Sequence, residues 1–252
     1  MKNMVKGILI GIIALACCII IYSLKETVYN CESLKISTKN AYSIIENIKT
    51  GEQIKVNGRI ISFDIGDLNG DNMEEVGFVY KKCLSRKTMV EILTLSTNPK
   101  LIYSGDLTDV RPWKIVFGDV TGDGVKEIAL GFVKETPFHP VAMKRCFFYN
   151  IDFNNQKLIP VFRPSRFTRP LIDYYIWDMD GDGISEVLVL EDMNHGNYII
   201  GAYKWMGFGF VLDSESRQFA EKGTFNKGDS EISFNGKILE YQEGKIVIGG
   251  EL

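Results

Sequence analysis

Histidine is nearly missing from this 252-residue chain: only His139 and His195 occur, far apart in sequence. That scarcity works against zinc sites and against a histidine general base. Cysteines are few and none stand in a Cys-x-x-Cys spacing, so neither a zinc ribbon nor a thioredoxin-type site is indicated. Neither sign of charge dominates, with 29 Lys and Arg against 32 Asp and Glu and a formal net charge of -3. Nothing in that balance draws the chain to nucleic acid, and no nucleic-acid partner is expected. A Gly-x-Ser-x-Gly elbow, a His-Glu-x-x-His helix, a phosphate-binding glycine loop and a dinucleotide fingerprint are all lacking. The chain therefore reads as a non-enzyme.

Long apolar runs are also lacking, with one exception at residues 7–23 (GILIGIIALACCIIIYS), preceded by Lys2 and Lys6. A helix of that length spans roughly 25 Å, close to the ~30 Å of a bilayer core. The basic leader places the bulk of the chain on the extracytoplasmic side of a cell membrane. Two other fates are compatible with the run: a lipoprotein, because Ala14-Leu15-Ala16-Cys17 loosely resembles a lipobox, and a cleaved signal peptide. Cys17 and Cys18 lie within the run, leaving Cys31, Cys83 and Cys146, an odd number best read as isolated thiols.

What organises the remainder is a repeat. The segments 61–80 (ISFDIGDLNGDNMEEVGFVY), 114–133 (KIVFGDVTGDGVKEIALGFV) and 174–190 (YYIWDMDGDGISEVLVL) align without gaps over their centres. Each reads as an alternating strand, a short Gly- and Asp-rich loop and a second strand. The loops begin at Asp67, Asp119 and Asp178, 52 and 59 residues apart, leaving room for two further strands per unit. Four strands every 50–60 residues is the footprint of a propeller blade. Three more strands are expected at 231–236, 237–242 and 245–250, joined by turns at Asn235-Gly236 and Glu243-Gly244. With residues 53–58 they would complete a fourth blade. Residues 24–51 differ: Ser37-Thr38 followed by AYSIIENIK predicts an amphipathic linker helix.

Within the loops, alternate oxygen-bearing side chains suit a hard cation. The third offers Asp178, Asp180, Asp182 and Glu186 at positions 1, 3, 5 and 9, with the Ile184 carbonyl at position 7. The second offers Asp119, Thr121, Asp123 and Glu127 with Val125, and the first Asp67, Asn69, Asp71 and Glu75 with Met73. All-oxygen coordination points to structural Ca²⁺, strongest in the third loop, where every side-chain ligand is a carboxylate. An EF-hand is ruled out, because position 12 is Phe78, Leu130 or Val189 and the flanks alternate as strands do. The plainer alternative is that the carboxylates cap backbone amides in Asx-type turns without an ion.

These D-x-[D/N/T]-G-D-[G/N]-x-x-E-[V/I] loops resemble FG-GAP or VCBS-type repeats, which build integrin-α-like propellers. The resemblance covers about 58–215 and implies a Ca²⁺ loop between the first two strands of a blade. Further stretches resemble a group of bacterial FG-GAP-like proteins of unassigned activity. Arg163, Arg166 and Arg169, between the second and third units, form the densest basic cluster and a candidate surface for an acidic protein patch or anionic cell-wall polymer.

The sequence thus predicts an all-β, propeller-like array of about four four-stranded antiparallel blades at 52–252, a linker with a short helix at 25–51, and a transmembrane anchor at 1–24. Function reads as a membrane-tethered binding or scaffolding module. The alternatives are a structural component of the envelope or spore surface and a polysaccharide-active enzyme.

Overall fold

A computed structural model describes residues 26–250 except 32, 40 and 229. Strand follows strand throughout, interrupted by a single 3-10 turn at Thr108–Val110. The first sheet comprises β1 (Thr27–Cys31), β2 (Leu34–Thr38), β3 (Ser43–Asn47) and β4 (Gln53–Val56). The second holds β5 (Arg59–Gly66), β6 (Glu75–Lys81), β7 (Thr88–Thr94) and β8 (Leu101–Asp106). The third holds β9 (Lys114–Gly118), β10 (Glu127–Thr136), β11 (His139–Asp152) and β12 (Lys157–Phe162). The fourth holds β13 (Leu171–Trp177), β14 (Glu186–Asp192), β15 (Tyr198–Trp205) and β16 (Phe210–Glu215). The fifth holds β17 (Phe225–Lys227), β18 (Ile232–Phe234), β19 (Lys237–Gln242) and β20 (Lys245–Ile248). In every sheet the spatial order follows the chain order, which is the blade architecture of a five-bladed β-propeller.

Two sequence expectations are corrected by this count. The described residues of 25–51 hold no linker helix: they supply β1, β2 and β3 of a sheet that sequence reading missed. Burial there alternates, with Leu34, Ile36 and Thr38 inward on β2 and Ser43 and Ile45 inward on β3. The Ser37-Thr38 pair that imitates a helix cap instead joins a hairpin, with Thr38 Oγ1 3.1 Å from Ser43 Oγ. Residues 53–56 pair with β3, not with the C-terminal strands, which find their fourth member in β17. The blades therefore number five, not four. The expected anchor at 1–24 lies outside the described residues, and no helix among those described is long and apolar enough to cross a membrane.

The described chain divides into two compact units. One comprises the residues through Ile60 with Tyr80–Lys87, the other Ile61–Val79 and the chain from Thr88 onward. The second strands of the larger unit are continuous apolar runs because both of their faces are covered. On β10, Ile128 and Leu130 enter a core with Val79, Val90 and Ile92, while Ala129 between them enters a core with Tyr174, Val187 and Val189. On β14, Val187 and Val189 share that core, while Leu188 and Leu190 pack against Phe225, Ile232, Phe234 and Leu239. Period-2 alternation in a doubly covered strand thus links successive sheets into a stack.

Polar side chains tie the first strands of neighbouring sheets. Ser62 Oγ accepts the Ile115 amide at 3.1 Å, and the buried Asp64 accepts the amides of Phe117 at 2.7 Å and Ile65 at 2.9 Å. Tyr174, wholly buried, sets its hydroxyl 3.1 Å from the Ala129 carbonyl and 3.2 Å from that of Lys114. Because β5 and β9 share no ladder, Asp64 substitutes for one. Asp64→Ala is expected to orphan the buried Phe117 amide and cost about 2 kcal/mol, read as a lowered urea midpoint at unchanged slope.

Candidate functional site

The three aspartate loops connect the first two strands of the second, third and fourth sheets, and one set of hydrogen bonds shapes all three. The first aspartate caps two amides further along. Asp67 receives Gly70 and Asn72 at 2.7 and 2.8 Å, Asp119 receives Gly122 and Gly124 at 2.7 and 2.8 Å, and Asp178 receives Gly181 and Gly183 at 2.8 and 3.0 Å. The position-5 carboxylates of Asp71, Asp123 and Asp182 take the amides of Met73, Val125 and Ile184 at 2.8, 2.9 and 2.8 Å. This requires left-handed backbone at position 6, where Asn72 has φ 64°, Gly124 84° and Gly183 89°. Asparagine is among the few side chains that tolerate it.

Position 9 is where the loops meet the core. Glu75, Glu127 and Glu186 open β6, β10 and β14 and are at most 2% exposed. In each, Oε2 accepts the amide at position 2: Leu68 at 2.8 Å, Val120 at 2.9 Å and Met179 at 2.8 Å. The second oxygen separates the loops. Glu127 Oε1 accepts the Thr121 hydroxyl at 2.9 Å. Glu186 Oε1 lies 3.4 Å from the ammonium of Lys204, which also reaches Asp180 at 2.5 Å and Asp182 at 3.8 Å. Glu75 Oε1 is buried with no hydrogen-bond partner among the described residues.

Protonation follows the same geometry. Burial raises the proton affinity of all three glutamates, and Glu75 is pushed up to about 7, with Asp71 and Asp67 adding to the rise against the Leu68 amide. Desolvation also acts on Asp67, but the amides of Asn72, Gly70 and Asn69 outweigh it and hold its carboxyl below the usual range. The hydrogen bond from Lys204 does the same for Asp180, and reciprocally raises Lys204.

Of the predicted ligands, Asp178, Asp180 and Glu186 gather one carboxylate oxygen each within 4.8 Å of one another, a group that could hold a metal. Lys204 supplies a positive charge to that same group. Asn69 Nδ2 bonds Asp71 at 3.0 Å in the first loop. Met73, Val125 and Ile184 turn their side chains to solvent, leaving only the main chain for any ligand role. Position 12 is fully buried in each case, as the rejection of an EF-hand requires.

The three arginines of the basic cluster differ in their surroundings. Arg169 Nη1 bridges Glu191 at 2.9 Å and Glu215 at 2.5 Å, whereas Arg163 and Arg166 are exposed. Arg166 edges a cleft of about 340 Å³ floored by Phe167, Tyr203 and Phe210. Arg145, 2% exposed, is spent on the carbonyls of Lys134, His139 and Val141 at 2.8, 3.0 and 2.9 Å. Trp177, on the strand before the third loop, packs partly buried against the core of Leu188, Leu190 and Phe225.

Lys204 was invisible to sequence reading because its role depends on register: β15 pairs Val187 with Tyr203, which sets Lys204 beside Glu186. The same position in the third sheet falls to neutral Asn150, next to Tyr149, which pairs with Ile128. Comparison with known proteins adds no identity, as the chain matches no family model and no curated protein.

Lys204→Met keeps the apolar stem and removes the charge. It should destabilise the metal-free protein by about 1 kcal/mol, through repulsion among Asp180, Asp182 and Glu186. Millimolar calcium should restore the melting temperature of this variant more than it raises that of the parent.

Proposed function

We propose that the chain is a non-catalytic binding or scaffolding module, tethered outside the membrane through residues 7–23, with calcium in the first aspartate loop. The observation that carries this reading is how the loop carboxylates are used. Their oxygens hold main-chain amides, a hydroxyl or an ammonium, so they shape blades and are not poised to transfer protons.

Glu75 Oε1 is the exception, and it supports a cation in the first loop. Every other position-9 oxygen meets a donor, and a buried carboxylate oxygen without one is costly. Asp67, Asn69 and Asp71, whose side-chain oxygens hold amides of the same loop, would have to turn toward the ion, and a hard divalent ion would satisfy Glu75 while relieving its repulsion with Asp67 and Asp71. The second loop needs the ion less, because Thr121 closes Glu127, and in the third loop calcium would have to displace Lys204.

The pH dependence follows from Glu75. Its folded value of about 7 lies above the ordinary 4.5, so the folded state binds the proton more tightly than the unfolded chain. Stability is then fullest below about 4.5 and falls as pH rises through about 7, by up to ~3 kcal/mol when no metal is bound. Glu127 and Glu186 push in the same direction. In chelator, the melting temperature should fall between pH 5 and pH 8. Calcium at 100 times its Kd should recover about 2.7 kcal/mol at the upper pH and much less at the lower. Glu75→Gln should flatten the pH slope and abolish the calcium response. A calcium response equal at both pH values, or unchanged in Glu75→Gln, would exclude the first loop as the site.

A further inference from the structure

Two lysines, Lys114 and Lys144, lie where the first strands of the third and fourth sheets begin, away from the aspartate loops, and the charge of Lys222 acts on Lys144. Lys114 opens β9 and gives its ammonium to Asp173 Oδ1 at 2.7 Å, with the two side chains 14% and 9% exposed. That ammonium also lies 5.5 Å from the ring centroids of Tyr174 and Tyr175 and 5.9 Å from that of Phe225. Lys144, half-buried on β11, donates to the Ile172 carbonyl at 2.6 Å and sits 3.9 Å from the centre of the Trp113 ring.

Neither contact of Lys144 carries a full negative charge. Burial is the largest influence on it and favours the neutral amine; Asp173 opposes this, while Lys222 and Lys114 reinforce it. Asp173, the one carboxylate acting on Lys144, is already joined to Lys114. Aromatic faces offset part of that imbalance, and a half-buried ammonium without a counter-ion of its own remains unfavourable. The repeat explains why the charges collect here. Ser62, Lys114 and Asp173 each stand five residues before the first aspartate of their loop, so they occupy equivalent places on β5, β9 and β13. In the second sheet this place holds a serine that bonds the next first strand, and in the third and fourth it holds a charged pair.

We propose that Lys144, with Lys114 and Lys222 adding positive charge, forms an oxyanion-binding site, with a phosphate or carboxylate group supplying the counter-charge that the described residues do not. The site deepens the binding-module reading and rests on it, but it is independent of calcium in the first loop. A ligand carboxylate or phosphate would draw hydrogen bonds from the free N–H groups of Lys144 and from exposed Lys222 on the loop before β17.

The test is thermal unfolding of the full chain in millimolar inorganic phosphate, and separately in acetate, each against chloride of equal ionic strength. Lys144→Met and Lys222→Ala are compared with the parent. The parent should melt about 2–4 °C higher in at least one oxyanion, and both variants should lose that rise. A rise in phosphate alone assigns a phosphate site, and a rise in both salts a general oxyanion site. In chloride, Lys144→Met should melt at or above the parent, because the replaced charge opposes folding. A purely structural Lys144 would instead make that variant melt well below the parent with no oxyanion effect in either protein, which overturns the proposal. An equal rise in all three proteins also overturns it, placing the anion elsewhere and leaving the binding-module reading intact. The calcium response of the same samples reports on the first loop separately.

Discussion

Each aspartate loop depends on one buried hydrogen bond, from the amide at position 2 to the Oε2 atom of the glutamate at position 9. That bond fixes where the first strand ends and the second begins, and it carries a carboxylate into the core. Once the carboxylate is there, its other oxygen must be answered. The protein gives three answers: Thr121, Lys204 and, by the proposal above, a metal ion at Glu75. The loops are alike in backbone and unlike in electrostatics for this reason alone.

The first strands present a second version of the same problem. Polar groups at equivalent places on β5, β9 and β13 link sheet to sheet, through Ser62, Asp64 and the Lys114–Asp173 pair. Charge is balanced in that pair but not at Lys144, so the two ends of these strands carry opposite local signs. Carboxylates collect where the first strands end, and Lys114 and Lys144 lie where β9 and β13 begin. A repeat fold with such ends offers separate places for a cation and an anion without any change of backbone.

Much of this was legible in the sequence, and the failures are specific. The aspartate loops announced β5–β6, β9–β10 and β13–β14, because Gly and Asp punctuation marks turns strongly. Asn235-Gly236 and Glu243-Gly244 do form the tight turns expected of them, with positive φ at all four residues. The first sheet was lost because it has no such loop and because Ile44, Ile45 and Ile48 satisfy a helical spacing as well as a strand's. Ile48 is in fact 54% exposed, and the two-residue period of β2 and β3 decides the matter. Lys204, Lys144 and the Arg169–Glu191–Glu215 bridge all depend on register between strands, which no local pattern encodes. The third loop, richest in acid, looked the strongest metal site, and its Asp178, Asp180 and Glu186 do gather into a group that could hold a metal. Its neighbour across the ladder is a lysine, and only register could show that.

Calorimetric titration of the metal-free chain with calcium near pH 7.5 addresses the central claim most directly, since it counts ions. The account predicts one ion per chain, bound with release of protons as Glu75 ionises. Three equivalent ions, or none, would contradict it, by showing that the partner of the second carboxylate oxygen does not decide which loop takes a cation.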